Sequence, residues 1–292
     1  MAPTPSFPGF DPLLELAAGT GRPLWCVHPA AGIAWEYLAL APRLPGVPLL
    51  ALQAAALQPA EADRAAEPDR PAVPDRPAEA DRLPESIEQL ADHFTGLVRS
   101  RQPSGPYRLL GWSFGGLVAH AVAHRLRSAG EPVELLALLD GYPYDPTRPE
   151  REPSEHEYLT TLLENAGCEP ASLVRPDGAA LDEPWAKAVL LARGHRLSGL
   201  PDRQLEAVLR VFLHHLRLRR RYTPPRFDGD LLLVRAAAER TAPQHPAADW
   251  APYLTGRIEA HDLPTEHRLL LRPEPAERIG RLLAARLAPA AG

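Results

Sequence analysis

The sequence has almost no lysine, almost no cysteine and no long apolar run. Lys187 is the only lysine; the other basic residues are arginines, and the formal net charge is −5. Nothing in that balance points to the basic surface of a nucleic-acid binder, so no nucleic-acid partner is expected. Two cysteines, Cys26 and Cys168, give no disulfide framework. Cys26 lies inside an apolar run and reads as a small core hydrophobe. No apolar stretch approaches the ~20 residues that span a bilayer, and no membrane partner is expected. The start of the chain lacks the charged and apolar regions of a secretory signal. A reducing, cytoplasmic setting is the expectation.

What is present is ample for a core. The chain has 292 residues, 45% of them hydrophobic, enough for one large domain or two small ones. The 35 prolines, together with abundant alanine and arginine, look like GC-rich coding. Residues 1–17 are proline-rich and read as an N-terminal linker. In the stretch 58–83 the pair Asp-Arg recurs at 63–64, 69–70, 75–76 and 81–82 with prolines between. Six fits neither a helical nor a solenoid period, so this is expected to be a solvated loop.

Elsewhere, short apolar runs alternate with helical patterns. Leu24–Val27, Pro48–Gln53, Tyr107–Leu110, Leu135–Leu139, Leu231–Arg235 and Arg257–His261 read as strands. Ser86 reads as the N-cap of an amphipathic helix carrying Ile87, Leu90, Ala91, Phe94, Leu97 and Val98 on one stripe. Trp35–Arg43 and a closing stretch from about Pro275 to Leu287 also read as helices. Continuous apolar strands alternating with helices imply a mostly parallel sheet covered on both faces. Residues 146–223 carry helical patterns only, notably Glu155–Asn165 and Gln204–Arg220. They read as a helical lid inserted into a core formed by 18–145 and 224–289.

The motif that carries chemistry is Gly111-Trp112-Ser113-Phe114-Gly115-Gly116, between a strand and a helix. This is the pattern of a nucleophile elbow, in which glycines on either side make room for a strained serine. Serine needs a base to take its proton, and the base needs an acid to hold its tautomer. The fold that uses this elbow orders them serine, acid, histidine. The acid belongs at a strand's carboxyl end. Asp140 stands there, directly after Leu135–Leu139; Glu239 and Asp249, after the next strand, compete for the role. The base belongs beyond the last strand, where His267 lies in a loop; the competitor His261 is still within the strand. The oxyanion needs two backbone donors. One is the amide of Phe114. The other belongs to the loop His28-Pro29-Ala30-Ala31-Gly32, and since Pro29 has no N–H, Ala30 is the candidate.

At these residues the chain resembles the terminal thioesterase domains of nonribosomal peptide synthetases, members of the α/β-hydrolase superfamily. The resemblance rests on Pro23 to Gly32 with Trp35 and Tyr37, on Gly105 to Gly116, and on Leu138-Leu139-Asp140. It spans most of residues 20–289, is weak in the lid, and is absent from the Asp-Arg repeat. One departure is Thr265, where the family usually has glycine two residues before its histidine.

The resemblance implies an α/β-hydrolase fold and an acid at Asp140. It also implies a reaction: a peptidyl thioester on the phosphopantetheine of a peptidyl carrier protein acylates Ser113, and the ester is released by water or by cyclisation. No cofactor or metal bound by this chain is implied, and a monomer is expected. About 20 residues precede the first core strand, too few for a carrier domain, so a carrier upstream in a longer protein or a separate one both fit. The alternatives are a freestanding editing (type II) thioesterase, which more often takes its acid after the later strand, and a small-molecule carboxylesterase, which usually has a longer glycine-rich oxyanion loop. A non-catalytic interaction module is a third, opposed by the complete set Ser113, Asp140 and His267. The cluster Arg217, Arg219, Arg220 and Arg221 reads first as a helix C-terminus, where cations are favoured, and second as a dock for an acidic carrier.

Overall fold

The structure is a computed structural model and describes residues 8–58, 83–144, 151–169, 173–192, 196–238 and 249–287. The strands are β1 (Leu13–Ala17), β2 (Leu24–Val27), β3 (Leu49–Leu52), β4 (Tyr107–Trp112), β5 (Val133–Leu139), β6 (Leu231–Ala236) and β7 (Ile258–Leu263). They form one sheet in the order β1-β3-β2-β4-β5-β6-β7. Only β1 runs antiparallel to its neighbour; the other pairs are parallel.

The period of two in a strand decides which side each residue faces. Trp25, Val27, Leu50, Leu52, Leu109, Leu136, Leu138 and Leu233 pack into one core with helices α1 (Ile87–Arg101) and α2 (Phe114–Ser128). Leu24, Cys26, Leu49, Ala51, Leu110, Ala137, Leu139, Leu232 and Val234 pack into the other. Its cover is the 3-10 segment Trp35–Arg43 and the closing helix. Both faces are dry, which is why these strands read as unbroken apolar runs rather than alternating ones. Ser86 caps α1, accepting from the Gln89 N–H.

Between β5 and β6 the described residues hold three helices: α3 (Glu155–Asn165), α4 (Glu183–Ala192) and α5 (Asp202–Arg221). α6 (Pro273–Leu287) closes the chain. No helix among the described residues is long and apolar enough to cross a membrane.

Two expectations change. Residues 13–17, taken as part of a linker, form the edge strand β1. Leu13 and Leu14 pack on one core and Leu14, Leu16 and Ala17 on the other. The chain before them is tied by Gln53, whose side chain donates to the carbonyls of Gly9 and Asp11. Trp35–Arg43 is a 3-10 segment containing Pro42 rather than an α-helix; proline removes an N–H and clashes with the preceding turn. The Asp-Arg repeat lies outside the described residues, as does Glu239.

Candidate active site

Ser113 sits between β4 and α2 with φ 58° and ψ −123°, a conformation that costs an L-residue energy and persists only when its surroundings enforce it. Here the backbone is clamped. The Ser113 N–H donates to the Leu139 carbonyl at 2.9 Å, and its own carbonyl accepts from the Gly116 N–H at 2.9 Å. The serine hydroxyl does not cap α2. Close approach explains the flanking glycines. A Cβ at Gly111 would stand 2.1 Å from the Gly115 carbonyl oxygen, and one at Gly115 would stand 2.4 Å from the carbonyl oxygens of both Val27 and His28. Gly116 is less constrained: a Cβ there meets nothing closer than 3.4 Å. Gly141 is tighter, since its Cβ would lie 2.6 Å from the Ser113 carbonyl oxygen.

Asp140 follows β5 and also has positive φ, 48°. Its N–H donates to the Val234 carbonyl at 2.7 Å. The carboxylate is nearly buried, its side chain 9% exposed. Oδ2 pairs with His267 Nδ1 at 2.8 Å. Oδ1 accepts from the Tyr142 hydroxyl at 2.9 Å and from the Ala236 N–H at 3.1 Å. Burial pushes the acid's pKa up. The bond and charge of His267, with the donors of Tyr142 and Ala236, outweigh it, and the group is held below its ordinary value. Asp140 is therefore the ionised partner of the imidazole. Trp250, buried, fixes the loop from the other side by donating its indole N–H to the Gly141 carbonyl at 2.9 Å.

His267 opens a short 3-10 turn after β7, its ring 5.7 Å from the Trp112 ring. Its Nδ1 faces a carboxylate, so Nδ1 carries the proton and Nε2 is left as the basic nitrogen. Thr265 stands where glycine was expected. Its φ is not positive, and its carbonyl accepts from the Ala238 N–H at 3.1 Å, so nothing there demands glycine.

Ser113, Asp140, His267 and Ala30 line one cavity of about 750 Å³, walled by Trp112, Tyr142, Leu162, Val208, Phe212 and Leu216 among others. Three chain segments deliver the polar groups: the carboxyl ends of β4 and β5 and the turn after β7. Helices α3 and α5 supply the apolar wall. Phe114 begins α2, with its side chain buried. Among the described residues neither the Phe114 nor the Ala30 N–H donates to any acceptor. Both amides are therefore available to an oxyanion, and the one on α2 adds the positive end of a helix. His261 is turned away; it sits on β7 with Nε2 2.7 Å from Glu259 Oε1. Asp249 does not line the cavity. Among the described residues no cluster of His, Cys, Asp and Glu could hold a metal ion.

The family model for the thioesterase domain matches residues 22–287. The chain belongs to the thioesterase-domain family. It is similar to a dimodular nonribosomal peptide synthase of Bacillus subtilis, 33% identical over 281 residues that cover 95% of this chain and 11% of that protein. It is also similar to CymA, a probable non-canonical nonribosomal peptide synthetase of Salinispora arenicola, at 34% over 288 residues, 94% of this chain and 3% of that one. The domain thus spans a tenth or so, or less, of the length of these relatives. Among solved structures, the four-domain nonribosomal peptide synthetase AB3403 superposes with a TM-score of 0.74 at 23% identity, covering 94% of this chain and 20% of that one. That likeness establishes the α/β fold.

Tyr142 and the Ala236 N–H did not stand out in the sequence. Gly141 did, as the residue that with Pro143 shapes the loop after Asp140 at the strand end. Tyr142 and the Ala236 amide carry no local signal at all.

Proposed function

We propose that this domain releases a peptidyl chain from the phosphopantetheine thiol of a peptidyl carrier protein through an ester on Ser113. The observation that supports it best is the single cavity lined by an elbow serine, a histidine and the carboxylate bonded to that histidine, in a chain of the thioesterase-domain family. Ser113 Oγ attacks the thioester carbonyl while His267 Nε2 takes its proton. Asp140 holds the imidazole in its Nδ1–H form and stabilises the imidazolium. The amides of Ala30 and Phe114 receive the oxyanion. Collapse of the tetrahedral intermediate expels the phosphopantetheine thiol, which takes the proton from His267. In the second half, water or a nucleophile of the same peptide attacks the ester, and His267 again serves first as base and then as acid.

The helical segment between β5 and β6 acts as the lid in this reading, and its apolar wall of Leu162, Val208, Phe212 and Leu216 meets the acyl chain. The carrier and its pantetheine arm are substrate; the chain needs no bound cofactor or metal, works as a monomer, and acts in the cytoplasm. Incubation with a synthetic peptidyl thioester followed by mass spectrometry tests the proposal. One acyl mass on the peptide containing Ser113 is expected, with free acid or cyclic product accumulating. Acylation at another residue would overturn it.

A further inference from the structure

The two halves of the oxyanion hole meet at a histidine that the mechanism above does not use. His215 lies on α5, in the helical segment, and is fully buried. Its Nδ1 is 2.9 Å from the Ala30 carbonyl. Its ring is stacked on Phe114, centroids 4.5 Å apart and 11° between planes. His28 lies beside both rings, its centroid 5.0 Å from that of His215 and 6.1 Å from that of Phe114. One ring therefore touches both residues whose amides would bind the oxyanion.

The direction of that contact matters. In a trans peptide the C=O and the N–H of one unit point opposite ways. Holding the Ala30 carbonyl toward buried α5 turns the Ala31 N–H the other way and fixes the plane next to the Ala30 amide. Both Ala30 and Ala31 line the cavity, whereas His28 and His215 do not. The preceding plane is held twice. The Pro29 carbonyl accepts from the Gly32 N–H at 2.9 Å and lies 2.7 Å from His28 Nδ1. The Ala30 carbonyl has only His215 among the described residues.

His215 is built for donation alone. Its Nδ1 faces a carbonyl, so that nitrogen carries the proton, and among the described residues Nε2 is buried without a partner. An orphaned polar atom is a standing cost to a fold and calls for a reason. Burial foremost, and neighbouring His28 and His214, hold the ring neutral.

We propose that His215 is a positioning residue of the oxyanion hole, tying the helical segment to the Ala30–Ala31 loop so that the hole is set only while α5 is seated. The inference rests on the serine-ester reading. The experiment compares His215→Asn with His215→Leu, side chains with the same branching at Cγ of which only asparagine can offer an N–H near the position of Nδ1, and adds His215→Phe, which keeps a stacking ring without a donor.

Turnover of a small peptidyl thioester, the labelling rate of Ser113 by a fluorophosphonate, and thermal melting are measured on the full chain. The Leu and Phe variants are expected to lose about 10²-fold in kcat, the low end for a missing oxyanion donor, with KM little changed and labelling slowed in parallel. The Asn variant should recover about tenfold of that loss. His28→Phe should cost less than the Leu variant, because Gly32 still holds the Pro29 carbonyl. If the Phe variant does not fold, the isosteric pair decides. Equal kcat in the Asn and Leu variants, or a loss confined to KM, overturns the proposal while leaving Ser113 in its role. Failure of the wild type to label at Ser113 overturns the serine-ester reading and this inference together.

Discussion

Mild acid should unfold this domain well before its carboxylates are titrated. His28, His120 and His215 are buried. Burial holds His28 and His120 down to about 4 and His215 well below its ordinary value. An ordinary histidine titrates near 6.5. Below that pH the unfolded chain takes up protons that the folded one refuses, so stability is complete above about 6.5 and falls as pH drops toward 4. At pH 5 an unfolded histidine is almost fully protonated, and a ring with a pKa near 4 is almost fully neutral. Between pH 7 and pH 5 His28 and His120 therefore each favour unfolding by about 2 kcal/mol, the two together by about 4, and His215 acts in the same direction. A domain's whole stability is about 5–15 kcal/mol, so the effect is decisive rather than marginal. Asp140, held low in the fold, adds a loss of the same sign at still lower pH. Urea titrations at pH 7, 6 and 5 read the effect directly. Repeating them on His120→Asn isolates one ring, because any pH-independent cost of the substitution cancels in the pH difference; the drop should shrink by about 2 kcal/mol. A loss under about 2 kcal/mol between pH 7 and pH 5 would refute the reasoning, since at least one of His28 and His120 would then have to be protonated inside the fold.

Ser113→Ala should abolish thioester turnover with melting unchanged, since it removes only an oxygen that caps nothing; residual turnover near the wild-type rate would refute the nucleophile. Asp140→Asn should cost about 10⁴-fold in kcat, as removal of the orienting carboxylate does in serine proteases, while Asp249→Asn, outside the cavity, should cost less than about tenfold; the reverse order would move the acid to the later strand. Gly141→Ala forces a Cβ within 2.6 Å of the Ser113 carbonyl oxygen, whereas at Gly116 the nearest atom is 3.4 Å away. The first should lower both kcat and stability, the latter by about 1–3 kcal/mol, and Gly116→Ala should do neither; equal effects by calorimetry and kinetics would show that the elbow relaxes freely.

The sequence made some of this legible for physical reasons. Strands buried on both faces must be apolar throughout, so β2, β4 and β5 could be read from composition alone. The elbow is partly local: Gly111 is demanded by the Gly115 backbone four residues on, while Gly115 is demanded by Val27 and His28 at the end of the adjoining strand β2. Asp140 and His267 lie 127 positions apart and could still be paired, since in this fold the order of serine, acid and base along the sheet is fixed by topology. The edge strand β1 was hidden by the prolines around it. The apolar run Leu13-Leu14-Glu15-Leu16-Ala17 was the available signal.

His215 shows where such reading stops. It is 185 positions from the carbonyl it faces, and no rule of order ties a helix between β5 and β6 to the loop after β2. On its own helix it is one more residue of the buried stripe with Val208, Val211 and Phe212. A buried histidine and a buried apolar residue leave the same mark on a hydrophobic pattern. What separates them is whether the ring nitrogen finds an acceptor, and that acceptor belongs to a segment brought close only by the folded sheet. Positioning residues of this kind are fixed by the packing of distant elements. Ser113, Asp140 and His267 are placed by the ends of the sheet, which the chain does encode locally.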